Sequence, residues 1–536
     1  MSRTADIVVA GAGHNSLITA AYLAKAGYEC LVLDARPIPG GGASTEELIL
    51  PGYMIDTCST GHTLIRVNPL LVDDELGLRA DYGLQYVEPD PVGHVALPDG
   101  EHLTIWRDME RTCEEIAHFS QRDADAYRRL IADYDQVKGA FGATRFLPPG
   151  FGPSLEERLL EIPGGRRWLR INAMSAWDVI RHEFEDRHVQ AFMVWMALQT
   201  VQAVDSLGTG SLAYSIIYGR QQRSWSIPLG GSGVLTAGLV RFLEARGSTV
   251  LCDRRVTRLV LEDGRCTGVE TEDGERYLAR TAVVSTIHVK HLLDMAPAEA
   301  WGEEFRYGVD TYDIGITNMG AYFAATEPPR FTLRDGGTRT ATSAGVVGWP
   351  EDVIRTCRDI RDGRFSPAVS WLLVATPSLV DPSRAPDGNH TVKVLSPQSH
   401  HLPEGETDWD TFKERHARFQ LEHLRRFAPN FTDDVILGSL VKSPFDFEHT
   451  NPHMIKGTFH GGDRGAAQSG GLRPVAGFGQ HRMPIPGLYQ TGGTTHPGGS
   501  ITGAPGRNAA MVLLLDLGTS LEEVLSGAGR APAPSR

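Results

Sequence analysis

The sequence lacks any long uncharged apolar run. The longest candidate near the C-terminus, residues 509–515, is far shorter than the roughly 18 residues that a membrane-spanning helix needs. The N-terminus also lacks a basic segment followed by an apolar stretch and a small-residue cleavage site, because an apolar strand pattern already starts at Ala5. We therefore expect a cytoplasmic protein that does not cross a membrane.

Cysteine is scarce, and its spacing excludes several kinds of site. None of the six cysteines forms a C-x-x-C pair or a metal-ligand spacing. This argues against a disulfide framework, a metal site and dithiol–disulfide chemistry of the glutathione reductase kind. We expect reduced, mostly buried thiols at Cys30, Cys58, Cys113, Cys252, Cys266 and Cys357.

Positive charge is also in short supply. Lys and Arg number 52 against 66 Asp and Glu, which gives a net charge of −14, and the basic residues form no obvious cluster. Such a surface repels a phosphate backbone, so we do not expect nucleic acid as a partner. The hydrophobic fraction of 41% and charged fraction of 22% are ordinary for a globular protein. The 536 residues are enough for two to four core-forming units at about 150 residues each.

The first recognisable unit is a nucleotide-binding βαβ pattern. Residues 5–10 form an apolar run that ends at Gly11, residues 15–26 show helical spacing, and residues 30–33 form a second apolar run that ends at Asp34. Gly11 permits a tight turn, and Gly13 lets the backbone approach a pyrophosphate at the positive end of the helix. Asp34 is expected to accept hydrogen bonds from ribose hydroxyls. The third glycine of the usual fingerprint is replaced by Ser16.

A second glycine cluster at residues 40–44 favours FAD over NAD. An NAD-binding domain usually enters its next helix at this point, whereas a glycine backbone here can lie against the far side of a flavin dinucleotide. Residues 250–285 read as a β-meander with Asp-Gly hairpin turns, which is common in FAD folds of the glutathione reductase type. No other strand–glycine–helix unit is apparent for NAD(P)H. We therefore expect the substrate itself to reduce the flavin.

The C-terminal block predicts support for the flavin ring. Residues 487–492 suggest a short strand, and a glycine-rich turn then leads into a helix that begins near Thr502 or Ala504. The positive end of that helix can face the part of a flavin where negative charge collects on reduction.

Four blocks carry a family resemblance: GAGHNSLITAAYLAKAG, LDARPIPGGGAS, PLGGSGVL and THPGGSITGAPGRNAA. In combination they resemble the phytoene desaturase and carotenoid ketolase group of FAD-dependent oxidoreductases. The resemblance implies a fold related to the flavin amine oxidases, with non-covalent FAD and a separate substrate domain. The expected FAD contacts, from the motifs and the resemblance together, are Gly11, Ala12, Gly13, His14, Asn15, Ser16, Asp34, Ala35, Arg36, Gly41, Gly42, Ala43, Ser44, Val256, Ser285, Gly493, Thr494, Gly499, Ile501 and Thr502.

We accordingly predict an α/β protein. Its Rossmann-type FAD-binding domain is glutathione-reductase-like, has a β-meander, and comprises residues 1–70, 225–300 and 445–525. A discontinuous α+β substrate domain comprises residues 71–224 and 301–444, with strands near residues 314–323, 368–375 and 391–395. Residues 526–536 are expected to be a disordered tail.

Two parts of the substrate domain allow alternative interpretations. Trp177, Ile180 and Phe184 have helical spacing, and an apolar stretch with Met and aromatic residues follows at residues 189–196. These residues could line an apolar pocket or form ordinary core between helices. The apolar loop at residues 146–153, with its Pro and Gly content, could be an ordinary exposed loop, a lid or a peripheral membrane contact.

The expected chemistry is hydride transfer to flavin, in which positioning can provide much of the catalysis. If a base is needed, His496 and His62 are the first candidates, with His453 and His460 as further ones; His14 belongs to the pyrophosphate end. The expected substrate is a small apolar or amphipathic molecule, and the acceptor is oxygen or a quinone. A flavin-dependent isomerase or saturase and a non-catalytic flavin-binding protein are the alternatives. The sequence leaves a homodimer open.

Overall fold

The computed structural model describes residues 2–528. The strands are β1 (Ser2–Ala10), β2 (Cys30–Leu33), β3 (Thr45–Glu47), β4 (Met54–Asp56), β5 (Tyr86–Val87), β6 (Gly93–Ala96), β7 (His102–Ile105), β8 (Ile227–Pro228), β9 (Thr249–Leu251), β10 (Val256–Glu262), β11 (Arg265–Thr271), β12 (Arg276–Ser285), β13 (Asn318–Ala325), β14 (Phe331–Thr332), β15 (Thr338–Arg339), β16 (Ser343–Val347), β17 (Trp371–Ala375), β18 (His390–Pro397), β19 (Ile436–Lys442) and β20 (Leu488–Gln490).

The helices are α1 (His14–Lys25), α2 (Pro69–Val72), α3 (Met109–Ala117), α4 (Gln121–Arg145), α5 (Leu155–Leu160), α6 (Arg166–Ala173), α7 (Ala176–Glu183), α8 (Arg187–Leu198), α9 (Leu212–Arg223), α10 (Gly233–Glu244), α11 (Val289–Leu292), α12 (Ala298–Trp301), α13 (Glu303–Asp310), α14 (Pro350–Arg361), α15 (Trp409–Arg425), α16 (Pro444–Thr450), α17 (Ala504–Asp516) and α18 (Leu521–Ser526).

The first sheet has the strand order β10-β11-β12-β1-β2-β9, and β20 pairs with β12. The pairs β12–β1, β1–β2, β2–β9 and β12–β20 are parallel, whereas β10, β11 and β12 form an antiparallel meander. The register pairs Ala10 with both Leu33 and Ser285, and Ser285 with Gln490. Four strand ends therefore meet at one edge, as ligand sites of this fold class require. The predicted Rossmann-type fold with a β-meander is confirmed.

Burial explains why the first strand forms in the middle of this sheet. Ile7 and Val9 pack with α1, α10 and α17, while Val8 and Ala10 pack on the opposite face with the meander and with Phe305 of α13. A strand covered on both faces is a continuous apolar run rather than an alternating one. The sequence pattern at residues 5–10 was therefore a correct signal for a central parallel strand.

The second sheet has the order β19-β13-β18-β17-β16-β6-β7, and its pairs are antiparallel except for β16–β6. Sequence patterns had predicted β13, β17 and β18, although β13 begins at Asn318 rather than near residue 314 because Gly315 has a positive φ of 73°. Strands β6, β7, β16 and β19 were missed. The first two have only four residues each and bury His94 and Thr104, so they show no apolar run.

The helices between residues 109 and 223 form a separate layer with its own core. Val189, Phe192, Met193, Trp195 and Met196 on α8 are at most 1% exposed and belong to this core. The idea that this stretch lines a pocket is therefore wrong, because α8 turns these side chains toward its neighbouring helices and sheet.

Three smaller expectations can be compared with the structure. The loop at residues 146–153 is only partly exposed: Phe146 is buried, and the Pro149 carbonyl accepts a hydrogen bond from Gln480 at 2.7 Å. The predicted tail overlaps the end of α18, which reaches Ser526, and residues 529–536 lie outside the described residues. All six cysteines are free thiols. Among residues 2–528, no helix combines the length and apolarity needed to cross a bilayer.

Candidate cofactor and substrate cavity

A cavity of about 500 Å³ lies at the edge where the ends of β1, β2 and β12 meet. On one side it is lined by Gly11, Leu33 and Thr286, which end or follow these strands. On the other side it is lined by Trp371 and Lys393 of the second sheet. The cavity is therefore bounded by both sheets, in the arrangement expected for a nucleotide cofactor that meets a substrate.

Gly13 carries the clearest sign of a ligand-binding site. Its backbone, with φ −68° and ψ 160°, suits any residue, and a Cβ placed on it would meet only the Ser16 Oγ, at 4.0 Å. Neither conformation nor protein packing therefore requires glycine here. Gly13 precedes α1 and lines the cavity, so what its missing side chain leaves free is room for a ligand at a helix N-terminus.

Gly11 and Gly41 are glycines for a different reason. Gly11 has a φ of +105°, and its Cβ would lie 2.3 Å from Cγ2 of Thr286. Gly41 has a φ of +59°, and its Cβ would lie 3.3 Å from the Gly13 Cα. The two glycine-rich turns thus close against one another, and the bridge between Gly13 and Gly40 joins them.

Asp34 lies at the end of β2 and lines the cavity. One carboxylate oxygen accepts the Ala12 N–H at 2.6 Å and the other accepts the Arg36 N–H at 2.9 Å. Burial raises the pKa of Asp34, and these two backbone hydrogen bonds act against that rise. A carboxylate has about four acceptor positions, so two remain for ribose hydroxyls.

The C-terminal glycine-rich turn, residues 491–503, completes the cavity. Gly493, Gly499, Ser500 and Ile501 line it, and Ser500 has a strained φ of +80°. Helix α17 then begins at Ala504, as predicted. Its N-terminus lies beside that of α1 and adds positive dipole potential at the same end of the cavity.

Helices α1 and α17, which are far apart in the sequence, pack against each other directly behind this turn. Gly506 of α17 lies so close to α1 that a Cβ would be 2.4 Å from the Asn15 carbonyl oxygen. The Thr19 hydroxyl donates to the Gly506 carbonyl at 2.9 Å. Residues near 11 and near 500 therefore belong to one site.

Of the predicted FAD contacts, those that line the cavity are Gly11, Gly13, His14, Asn15, Asp34, Ala35, Arg36, Gly41, Gly42, Val256, Gly493, Gly499 and Ile501. Ala12, Ser16, Ala43, Ser44, Ser285, Thr494 and Thr502 do not line it and support the turns from behind. The Ser16 hydroxyl, for example, donates to the Gly13 carbonyl at 2.9 Å, and the Thr502 hydroxyl accepts the Ala504 N–H at 3.1 Å. The small side chain at the third fingerprint position therefore braces the turn.

A group of histidines also faces the cavity. His14, His288, His453 and His460 line it, and each has a buried ring nitrogen without a hydrogen-bond partner. The rings of His288 and His453 are 5.5 Å apart. Burial lowers the pKa of His14 and of His453 to about 4 and lowers that of His288 well below its ordinary value, so the imidazoles are neutral near pH 7. Neutral rings with free nitrogens suit a polar ligand. His288 was not predicted as a cavity residue from the sequence, and its position just after β12 is the one feature that could have indicated it.

The part of the cavity toward the second sheet is apolar. Its walls, here called the apolar chamber, are Ile216, Trp225, Trp371, Leu373, Leu395 and Phe459. Lys393 enters beside it and donates to the Cys58 carbonyl at 2.7 Å and to the Thr60 hydroxyl at 2.6 Å. Burial lowers the pKa of Lys393 to about 8, and the nearby Asp56 acts against that fall.

His62 and His496, the first candidates for a base, are not among the described residues that line the cavity. His62 is fully buried, and its ring nitrogens contact the Ser232 hydroxyl at 2.9 Å and the Tyr86 hydroxyl at 3.2 Å. His496 donates through Nε2 to the Thr144 carbonyl at 2.8 Å. Their catalytic role stays a prediction, and their positions favour a structural role.

We expect a His62→Ala variant to lose about 1–3 kcal/mol of stability, because it leaves the Tyr86 hydroxyl without this partner and the Ser232 hydroxyl with the Ser59 carbonyl alone. Flavin reduction by substrate should change by no more than about twofold in rate, within the range of indirect effects. Denaturant unfolding and anaerobic stopped-flow measure the two quantities. A severe loss of rate in a variant of normal stability would restore His62 as a base.

Comparison with known proteins supports the assignment of the cavity to a dinucleotide cofactor. Residues 9–73 match a family model described as an NAD(P)-binding Rossmann-like domain. A limonene dehydrogenase polypeptide of Castellaniella defragrans is 27% identical over 96% of this chain and 95% of its own length. A neurosporene-forming phytoene desaturase of Cereibacter sphaeroides is 24% identical over 95% of this chain and 94% of its own length.

Solved structures share the fold. Putrescine oxidase bound to putrescine has a TM-score of 0.61 at 15% identity and covers 96% of this chain and 99% of its own. Cyclohexylamine oxidase from Brevibacterium oxydans has a TM-score of 0.57 at 16% identity over the same shares of the two chains. The glycine-rich turns, the acid after β2, the cavity and these full-length relatives together identify the chain as an FAD-dependent oxidoreductase similar to the phytoene desaturases.

Proposed function

We propose that the protein dehydrogenates an apolar or amphipathic organic molecule held in the apolar chamber, and that oxygen or a quinone finally accepts the electrons. The observation that carries this proposal is the continuity of one cavity from the Gly13 turn to the chamber walls Trp225 and Trp371. A bound flavin supplies hydride acceptance. The names of the relatives, limonene dehydrogenase and phytoene desaturase, point to hydrocarbon substrates of the same kind.

The chain's own residues would act mainly by positioning. Trp225, Trp371 and Leu395 are at most 8% exposed, so they exclude water and offer flat and branched surfaces to an apolar substrate. The acids among the described lining residues are Asp34 and Asp294, which belong to the first sheet and its adjoining segments. This arrangement favours a reaction that depends on holding a C–H bond correctly rather than on a strong base.

Anaerobic mixing with a panel of donors tests the proposal. We expect a cyclic monoterpene or a linear polyene to bleach the visible absorbance of the flavin, and a short diamine to leave it unchanged. Readmitting air or adding a quinone then identifies the acceptor. Product formed steadily without acceptor and without bleaching would indicate the isomerase or saturase alternative, and a flavin that no donor reduces would indicate a non-catalytic protein.

A single substitution makes this experiment sharper. Leu373 of β17 faces the cavity, whereas Leu372 faces the opposite core. Leu373→Gln places a polar amide in the chamber, at a cost of about 1–3 kcal/mol for an unmatched polar group against an apolar ligand. We expect about a 10- to 100-fold loss in bleaching efficiency with unchanged flavin content, which the spectrum of the oxidised protein verifies.

A further inference from the structure

We propose that the substrate carries a carboxylate head group, and that Arg220 binds it where the apolar chamber meets the segment at residues 199–202. The inference rests on the proposed function and narrows its substrate to an amphipathic acid with a hydrocarbon body. It arises from two buried guanidinium groups at the cavity, those of Arg220 and Arg464, that form no ion pair among the described residues.

Arg220 is the stronger of the two. It lies on α9, is 5% exposed and lines the cavity. Its Nη2 donates to the Gln199 side-chain oxygen at 2.6 Å, its Nε has no partner, and it makes no ion pair within the described residues. Burial alone lowers its pKa to about 9, since no acid compensates. A buried cation without an ion-pair partner destabilises the folded protein unless a ligand neutralises its charge.

Arg464 approaches the same segment from the C-terminal part of the chain. It lines the cavity, its Nη2 donates to the Thr200 carbonyl at 3.3 Å, and its Nε has no partner. The next residue, Val201, is a β-branched residue with a strained φ of +52° that also lines the cavity. Such strain is typical of ligand-binding segments.

Other buried arginines have more to offset their charge. Arg384 has two nitrogens without a partner but forms an ion pair with Asp56, and Arg473 donates to the carbonyls of Gly461, Asp463, Gln468 and Gly493. The contrast marks Arg220 as a group whose partner comes from outside the chain.

The position of Arg220 argues against a role at the cofactor phosphates. It belongs to the helical layer, and its guanidinium lies 5.4 Å from the ring centre of Trp225, a wall of the apolar chamber. The phosphates of a dinucleotide have their own donors at the Gly13 turn and the N-terminus of α1. A planar guanidinium beside apolar walls matches a carboxylate on a hydrocarbon chain, which it can bind through two hydrogen bonds.

The test is a binding experiment with the FAD-loaded protein. Decanoate, methyl decanoate and decylamine are titrated while the visible spectrum of the flavin and the heat of binding are recorded. We expect decanoate to bind about 30-fold or more tightly than its methyl ester, and Arg220→Gln to remove that preference. Arg220→Lys should keep part of it. Arg223→Gln, three residues along α9 and not a cavity residue, should leave it intact.

The outcomes separate this inference from the proposed function. Equal binding of acid and ester, or a preference that survives in a folded, flavin-loaded Arg220→Gln variant, overturns the carboxylate site. If the variant does not fold, the comparison of acid and ester in the wild type and in Arg220→Lys still decides. A preference for the acid with a flavin that no donor bleaches supports the site while refuting the dehydrogenase function. If neutral terpenes bleach the flavin but acids bind no more tightly than esters, the dehydrogenase function is supported and the carboxylate site is refuted.

Discussion

A Gly13→Val variant should fold normally and purify without its yellow colour. The backbone at Gly13 already suits a side chain, and the nearest protein atom to its Cβ lies 4.0 Å away, so the apoprotein should accept valine without strain. In the holoprotein, however, the two methyl groups of the valine would occupy space that the cofactor needs. Overpacking of this kind costs about 1–3 kcal/mol or more, which weakens FAD binding about 10- to 100-fold. The ratio of flavin to protein absorbance after dialysis measures the loss.

Two further glycine variants define what the result means. Gly139→Val on α4, where a Cβ also meets no atom within 4 Å, should retain the flavin. Gly11→Ala should destabilise the protein itself, because the new Cβ would lie 2.3 Å from Thr286 and the φ of +105° disfavours any side chain. A Gly13→Val protein that remains as yellow as the wild type would remove the assignment of this turn to the cofactor.

An Arg384→Met variant should lose about 3–5 kcal/mol of stability, the usual effect of removing one partner from a buried ion pair. Arg384 and Asp56 are both almost completely inaccessible to solvent and form such a pair. Asp56 also accepts the Ser232 N–H at 2.9 Å and the Thr45 hydroxyl at 2.7 Å. The pair therefore joins the segment before β18 to the residues around the second glycine-rich turn. Denaturant unfolding measures the change.

The effect of this substitution should depend on pH in a defined direction. Burial acts to raise the pKa of Asp56, but the charges of Arg384 and Lys393 and two hydrogen bonds bring it below the ordinary value. In the wild type this contribution is present above the pKa of the unfolded state and is lost as pH falls through the folded value. Without Arg384 the pKa rises, and protonation relieves the buried charge. The difference in free energy of unfolding between variant and wild type should therefore be largest near neutral pH and should decrease as the pH is lowered.

A surface pair provides the control. Arg258→Met removes an exposed partner of Glu270, and such pairs contribute about 0–1 kcal/mol. If Arg384→Met lowers the free energy of unfolding no more than Arg258→Met does, the buried pair does not stabilise the fold in the way proposed. The same holds if the loss of stability in Arg384→Met grows as the pH falls.

Local sequence patterns predicted the cofactor half of the molecule well. Glycines with positive φ, the acid after β2 and a strand buried on both faces each have one strong physical cause, so the residues alone identify them. The second half was predicted less completely. Strands β6 and β7 are short and partly polar, and they become strands because β16 pairs with β6 and not because of their own composition.

The cavity residues outside the motifs were the hardest to predict. Nothing in the sequence around Arg220 distinguishes it from an ordinary core or surface residue, and for His288 the one signal is its position just after β12. Their significance depends on buried atoms that lack partners, which only the assembled structure reveals. Conversely, His62 follows a glycine and looked suitable for catalysis, yet its hydrogen bonds to Ser232 and Tyr86 come from segments remote in sequence.

The contact between α1 and α17 has a consequence for biosynthesis. Helix α1 leaves the ribosome long before the residues that complete its ligand-binding face, around Gly499 and Gly506, have been translated. A nascent polypeptide can therefore form the first βαβ unit long before it can retain a dinucleotide. Flavin capture should therefore wait for the synthesis of α17, and products terminated before α17 should accumulate as apoprotein.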